Sequence, residues 1–359
     1  MLDWIPQTIL FIFILGLIIF VHEFGHFIVA KRSGIKVEEF GFGFPPRIFG
    51  KKIGDTIYSL NLIPLGGFVS LYGETKEIKA PNSFSAKPLK TRFKVLVAGV
   101  LMNFILGIIV LTIGFSLGLP PILSLPQHYN LKVKESKIFV SKVIEGSPAS
   151  IAGIKEGDVI SKIDDKIFTK ATDVKDYLEK KAGKEITVIL EKEGKTIEKS
   201  IKLLSKEKEY FLGIEYGLIY LKTECPFWKA PFLAIIETFK ICWFIILFLI
   251  NILISLLRGI SVSVDVAGPV GVFFLTGLAL KTGFLSILKI IALLTINVGL
   301  INILPFPALD GGRVLFLIIE KIRGKKVAQT VENIIHNIGF FILLALLALI
   351  TWWDIVRWR

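Results

Sequence analysis

Charge is scarce in this 359-residue chain: Asp, Glu, Lys and Arg make up 20% of it, against 53% hydrophobic residues. Mean hydropathy is +0.68. So little charge excludes an ordinary soluble globular protein and points to a membrane protein. Cysteine is nearly absent. Cys225 and Cys242 are the whole complement, with neither metal-finger spacing nor a disulfide framework. Cys242 lies in an apolar run and reads as a small buried hydrophobe. Histidine is rare as well, at four residues, so each position carries information. The chain also lacks a basic–aromatic platform, which excludes nucleic acid as a partner despite the formal charge of +13. That charge is read as basic loops beside anionic headgroups, with the lipid bilayer as the expected partner. No internal repeat of apolar segments is visible, which argues against a transporter.

Long apolar runs are what the chain has in their place. A membrane-crossing helix needs about 20 mostly apolar residues. Four runs meet this: Thr8–Ala30, Val95–Leu119, Leu285–Ile303 and Ile334–Ile350. A fifth, Ile241–Leu257, is shorter and is expected to lie along the membrane or dip into it. The opening MLDWIPQ lacks the basic segment and small-residue site of a signal peptide, so the first run is expected to be a retained span.

From about Lys132 to Leu204 the character changes to a charged, alternating pattern. Ile138–Ile144 and Val159–Ile163 read as strands, and Ala171–Lys181 has helical periodicity. Ile186–Glu191 and Thr196–Leu203 flank a turn signal, Glu193-Gly194-Lys195. This is expected to be a water-facing α+β insert. A second region, Gly41–Tyr72, is neither span nor soluble. Its runs Ile57–Leu62 and Phe68–Tyr72 flank Pro64-Leu65-Gly66-Gly67, a pattern for a β-hairpin or small sheet. Strand edges are tolerated at membrane depth where they line a cavity, and such an edge could dock a peptide.

The sharpest signal is FVHEFGHF, Phe20–Phe27, inside the first run. On a helix His22 and His26 fall on one face, one turn apart. HExxH on a helix is the pattern of zinc hydrolases, with two imidazole ligands and a glutamate, here Glu23, as general base. Ionisable groups within a span are costly and mark functional sites. Zinc would offset that cost and lower the pKa of a bound water from about 15.7 to near 7. A catalytic zinc takes three protein ligands. His128 and His336 are poor candidates for the third, being placed as solvated or helix-end residues. Asp310, in NVGLINILPFPALDGGR, is better placed, since Pro305 and Pro307 break the helix before it; taken alone it reads as the start of a turn. Asn297 and Asn302 precede it. His22 lies roughly 21 Å into the first span at 1.5 Å per residue, toward Lys31, Arg32 and Lys36, the end expected to be cytosolic.

Two resemblances follow. GSPASIAGIKEGDVISKIDD, Gly146–Asp165, resembles the PDZ family, whose members bind extended peptides at a sheet edge. HEFGH, PLGGFV, AGPVGV (Ala267–Val272) and NILPFPALDGG, in this order across nearly the whole chain, resemble the site-2 proteases, of the bacterial regulator-of-sigma-E-protease type. The resemblance implies a multi-pass α-helical membrane protein with about four transmembrane helices, a membrane-associated β-hairpin region and an inserted PDZ domain. The corresponding division is 1–125, 126–215, an amphipathic or re-entrant segment 216–280, and 281–359. It implies an intramembrane zinc metalloendopeptidase with His22, His26 and Asp310 as Zn2+ ligands and Glu23 as base. Asn302 and Asn297, with Gly66, Gly67 and Phe68 of the β-region, are the implied substrate-binding residues. Substrates would be single-span membrane proteins, such as an anti-sigma factor or remnant signal peptides. The location implied is the bacterial inner membrane, with the PDZ domain outside the cytosol and the zinc near the cytosolic face. The family's GFGP element stands here as GFGFPP, Gly41–Pro46, and there is one PDZ module where some members have two. The alternative is a silent membrane scaffold presenting the PDZ module on a structural metal; an intact Glu23 counts against it.

Overall fold

The computed structural model describes residues 4–192, 195–204, 212–259 and 267–357. Two compact units emerge, one of Met1–Gly114 with Pro231–Arg359, the other of Phe115–Ala230.

The first unit is built on long apolar helices. Helix α1 is Trp4–Arg32, and Gly34 turns the chain beyond it in a left-handed conformation. Strands β1 (Val37–Ile53) and β2 (Thr56–Leu71) follow, then α2 (Leu89–Leu117). Among the described residues, five helices are long and apolar enough to cross a membrane. Three are α1, α2 and one that begins at Ala230. The other two coincide with the third and fourth expected spans.

Of the two forms expected for the β-region, hairpin or small sheet, the structure has the sheet. Ile57–Leu62 and Phe68–Leu71 do not pair with each other. Residues 37–42 lie between them, with Phe40 opposite both Tyr58 and Val69, and Gly41 opposite both Ser59 and Phe68. The start of β1 was hard to read because glycines and prolines at 41–46 mask its alternation. Residues 50–53 continue the sheet beyond 56–59, leaving 67–71 as one free edge.

The second unit is a five-stranded antiparallel sheet. Its strands are β3 (Lys132–Val143), β4 (Val159–Ile163), β5 (Glu185–Lys192), β6 (Lys195–Lys202) and β7 (Ile214–Glu224), in the order β6-β5-β4-β3-β7. Helices α3 (Pro148–Ile151) and α4 (Ala171–Lys180) complete it. Ser147 opens α3 by accepting the Ser150 N–H, which explains the Ser-Pro-Ala phrase. Ile138, Val140, Ile160, Val174 and Val188 form its core. Of the expected turn, Glu193 and Gly194 lie outside the described residues. The expected boundary at 215 falls inside β7. That strand alternates Ile214, Tyr216, Leu218 and Tyr220, but Gly217 interrupts it and its position beside the membrane runs made it read as the start of the amphipathic or re-entrant segment 216–280.

The remaining helices are α5 (Ala230–Leu257), α6 (Pro269–Thr282), α7 (Phe284–Ile303), α8 (Asp310–Arg323) and α9 (Gln329–Arg357). Helix α5 starts well before Ile241, because Glu237 and Lys240 break the apolar run without breaking the helix; Glu237 is fully buried. Segment 216–280 is thus the rest of β7, α5 and α6.

Candidate metal centre

Helices α1 and α2 meet at bare backbone. A Cβ on Gly25 would stand 2.4 Å from the Ala98 carbonyl oxygen, so glycine permits the close approach typical of small-residue helix contacts. That approach presses the HExxH face of α1 onto a stripe of α2 formed by Val95, Gly99 and Asn103, each four residues apart. Gly99 clears the space occupied by the imidazoles: a Cβ there would lie 2.3 Å from His26 Nε2 and 2.8 Å from His22 Nε2.

Asp310 arrives from the other side as the first residue of α8. Leu304–Leu309 make a tight turn in which Ala308 adopts a left-handed φ of 76°. A side chain on Gly311 would strike the Leu304 carbonyl oxygen at 2.2 Å, and one on Gly312 the Phe306 carbonyl oxygen at 2.4 Å. The two glycines after Asp310 therefore let the helix start against its own preceding turn. His336 of α9 holds that turn by accepting the Ala308 N–H at its Nδ1, at 2.9 Å. The sequence places His336 as a helix-end residue; its supporting contact was not readable there.

Three donor atoms converge. His22 Nε2 is 2.9 Å from Asp310 Oδ2, His26 Nε2 is 3.2 Å from the same oxygen, and the two Nε2 atoms are 3.2 Å apart. Ligands at about 2.0 Å from zinc in a tetrahedron stand about 3.3 Å from one another, so this set fits the ion. Both histidines are 6% exposed. Their outer nitrogens are held as well: His26 Nδ1 donates to the Val95 carbonyl at 2.7 Å, and the Asn103 amide lies 3.2 Å from His22 Nδ1. A backbone or amide partner on the far nitrogen leaves Nε2 as the ligand atom. Asn103 was missed in the sequence, although a polar residue inside an apolar run is a signal of this kind.

Glu23 reaches toward the sheet. Its Oε2 accepts the Val69 N–H at 3.1 Å. Gly66 and Gly67 bring β2 this close. A Cβ on Gly66 would meet Ile19 at 2.9 Å, and Gly66 has a φ of 118° that disfavours other residues; a Cβ on Gly67 would come within 3.9 Å of Glu23. Phe68 points to the opposite face, over Gly41. Asn297 and Asn302 are half-buried on α7, and neither side chain makes a hydrogen bond among the described residues. Asn302 is two turns beyond Thr295, which donates to the Asn103 carbonyl at 3.3 Å. The structure joins His22, His26 and Asp310 directly, Glu23 with Gly66 and Gly67 beside them, and leaves Phe68, Asn297 and Asn302 outside that contact.

The model of Peptidase family M50 matches residues 10–346. The putative zinc metalloprotease CPE1693 of Clostridium perfringens is 33% identical over 340 residues, covering 94% of this chain and 95% of its own. The regulator of sigma-W protease RasP of Bacillus subtilis is 28% identical, covering 99% of each. A PDZ domain of the SdrC-like protein Lmo2051 from Listeria monocytogenes is 26% identical and covers 22% of this chain and 85% of its own, with a TM-score of 0.20. Since the match runs from the first apolar helix into the last, the chain belongs to peptidase family M50: it is an intramembrane zinc metalloprotease.

Proposed function

We propose that His22, His26 and Asp310 hold the zinc and that Glu23 is the general base and acid for hydrolysis of a substrate segment drawn out of its helix. The observation that carries this is the convergence of the three donor atoms one residue from a carboxylate that touches a free strand edge. When bound, zinc polarises the scissile carbonyl and makes water nucleophilic near neutral pH. Glu23 takes the proton at its carboxylate and delivers it to the leaving nitrogen. Asn103 orients His22: with Nε2 given to the metal, Nδ1 carries hydrogen, so the amide, whose nitrogen stands 3.2 Å from Nδ1, turns over to present its oxygen. That placement also gives the buried Asn103 Oδ1, otherwise without a partner, its hydrogen bond.

Residues 67–71 supply the docking edge. Val69 N–H points away from β1 to Glu23, and by the two-residue period of a strand Gly67 and Leu71 face the same way. The Val69 and Leu71 N–H groups are held by the Glu23 and Glu74 carboxylates, and an unwound peptide that takes the place of these carboxylates recovers hydrogen bonds that hydrocarbon would deny it, each worth several kcal/mol. An apolar groove of about 420 Å³ is lined by Phe13, Leu17 and Phe20 of α1 with Phe42 and Pro64 of the sheet. It suits a substrate helix before unwinding.

The reading extends to topology. Gly25 lies level with Ala98, Gly107 with Ile296 and Gly299 with Asn103, so α1 and α7 both run opposite to α2. Lys31 and Arg32 end α1, Lys87 precedes α2 and Lys90 lies in its first turn, and Lys321 and Arg323 end α8. This cationic end is the cytosolic one, and the metal centre is nearer to it. Gly277 meets Gln7 and Gly271 meets Asp354, so α6 sits at the opposite end. Both ends of α5 then belong on that side. A return from the cytosol within residues 258–268 would need almost fully extended chain in hydrocarbon. The proposed spans are α1, α2, α7 and α9, with α5 lying along the membrane on the outer side and the PDZ-like unit outside. Substrates are single-span membrane proteins, among them an anti-sigma factor or leftover signal peptides, in a bacterial inner membrane.

The test pairs the full chain with its Glu23→Gln variant on single-span substrates. The active chain should cut inside the apolar segment, mapped by mass spectrometry; the variant should keep zinc and lose cleavage by about 10²–10⁴-fold. Cleavage outside the apolar segment, or retained by the variant, overturns the reading.

A further inference from the structure

A second concavity lies at the cytosolic end, between the start of α2 and the last turns of α8, away from the metal. It encloses about 560 Å³, within the roughly 300–1,000 Å³ of small-ligand pockets. Phe93, Leu317 and Ile318 are part of its apolar floor, and Lys90, Lys94 and Lys321 stand on its rim. Phe93 and Ile318 are each 46% exposed. Among the described residues none of the three lysines pairs with a carboxylate. Nearby, the same two helices are tied by an ion pair, Arg92 to Glu320 at 2.6 Å, so the cations present are sorted. Arg92 is neutralised inside the contact, and the three lysines face outward over grease.

We propose that this cleft binds one anionic phospholipid, with an acyl chain on Phe93, Leu317 and Ile318 and the phosphodiester under the three ammonium groups. Charge complementarity selects the occupant. A zwitterionic lipid brings its own cation against the lysines, and a transmembrane peptide segment offers nothing for three positive charges. The position gives the lipid a consequence. Helix α8 begins with Asp310, and α2 carries Val95, Gly99 and Asn103 behind the imidazoles. A lipid bridging the two helices therefore holds the carboxylate ligand to the wall that shapes the other two.

The test uses the full chain, purified in neutral detergent and titrated with phosphatidylglycerol or phosphatidylcholine under native mass spectrometry. Phosphatidylglycerol should be retained preferentially. A lysine beside an anionic surface contributes about fivefold, so Lys90→Gln/Lys94→Gln/Lys321→Gln should lower its retention by at least tenfold, on the order of a hundredfold. Arginine at the same three positions should restore it. Replacing Lys51 and Lys52 of the sheet by Gln should leave it unchanged. An unaltered far-ultraviolet circular dichroism spectrum in each variant shows that the fold survives. Raising the salt should weaken retention of phosphatidylglycerol. Equal retention of the two lipids, or retention by the triple Gln variant, overturns the proposal. Loss of retention equally in the Lys51/Lys52 control does so too, because it reduces the effect to general surface charge.

Discussion

At the scale of single residues, the centre depends as much on what is missing as on what is present. Gly99 has no side chain where two imidazole nitrogens stand, and even one methyl would come within 2.3 Å of His26 Nε2. Gly99→Ala should therefore abolish zinc binding, read as metal per chain after purification, while leaving the apolar helices intact by circular dichroism. Asn103→Ala is a subtler change. It removes the partner of His22 Nδ1 without touching a ligand atom, and should weaken zinc affinity by about 10–100-fold. Competition with a graded chelator measures that loss, and a variant with unchanged affinity would remove Asn103 from the centre. The convergence of the two histidines was legible in the sequence because HExxH carries its geometry in its spacing. Asp310 was legible only by elimination and resemblance, since nothing local to a Pro-rich turn reveals a partner 288 residues away. Asn103 and His336 were not read as supports, for their roles exist only across helices.

At the scale of elements, apolar length and period-two alternation located most of the helices and strands. The failures share a cause. The strand Val37–Phe44 and the strand β7 are both punctuated by glycine, which hides alternation, and both are held in place by partners distant in sequence. The region next to the metal centre consequently read as a hairpin or small sheet of two runs, when its central strand comes from before them. The fit of that sheet against α1 can be tested separately from the metal. In Gly66→Ala a new Cβ meets Ile19 at 2.9 Å at a φ of 118°, so the 67–71 edge must move away from Glu23. A misplacement of about 1 Å can cost roughly 10²-fold in rate. Cleavage should fall by that order with zinc content unchanged; loss of zinc together with activity would show that the sheet also supports the ligands.

At the scale of the whole molecule, the two units answer to different conditions. The membrane unit should lose activity on chelation and regain it with added zinc, measured on a single-span substrate in the same preparation. The PDZ-like unit has its own core and an acid-sensitive junction. Burial works to raise the Asp164 carboxyl, but the Thr187 N–H, the Tyr177 hydroxyl and the Lys181 ammonium outweigh it and hold the group below its usual 3.8. A carboxyl depressed in the folded state contributes its stability above that value and gives it up as pH falls further. The melting temperature of this unit should therefore hold from neutrality to about pH 4 and decline below it by the ordinary carboxylate scale. In Asp164→Asn that part of the decline should vanish.

The edge at Gly67, Val69 and Leu71, where Glu23 and Glu74 hold the Val69 and Leu71 N–H groups, has one more implication. Main-chain hydrogen bonds confer affinity, whereas side-chain pockets confer selectivity, and here glycine lines part of the place where a pocket would be. Such a cutter cares little which letters its client spells near the scissile bond. What it can discriminate is how readily a client lets go of its own coil, so a wide and chemically mixed clientele is the natural outcome.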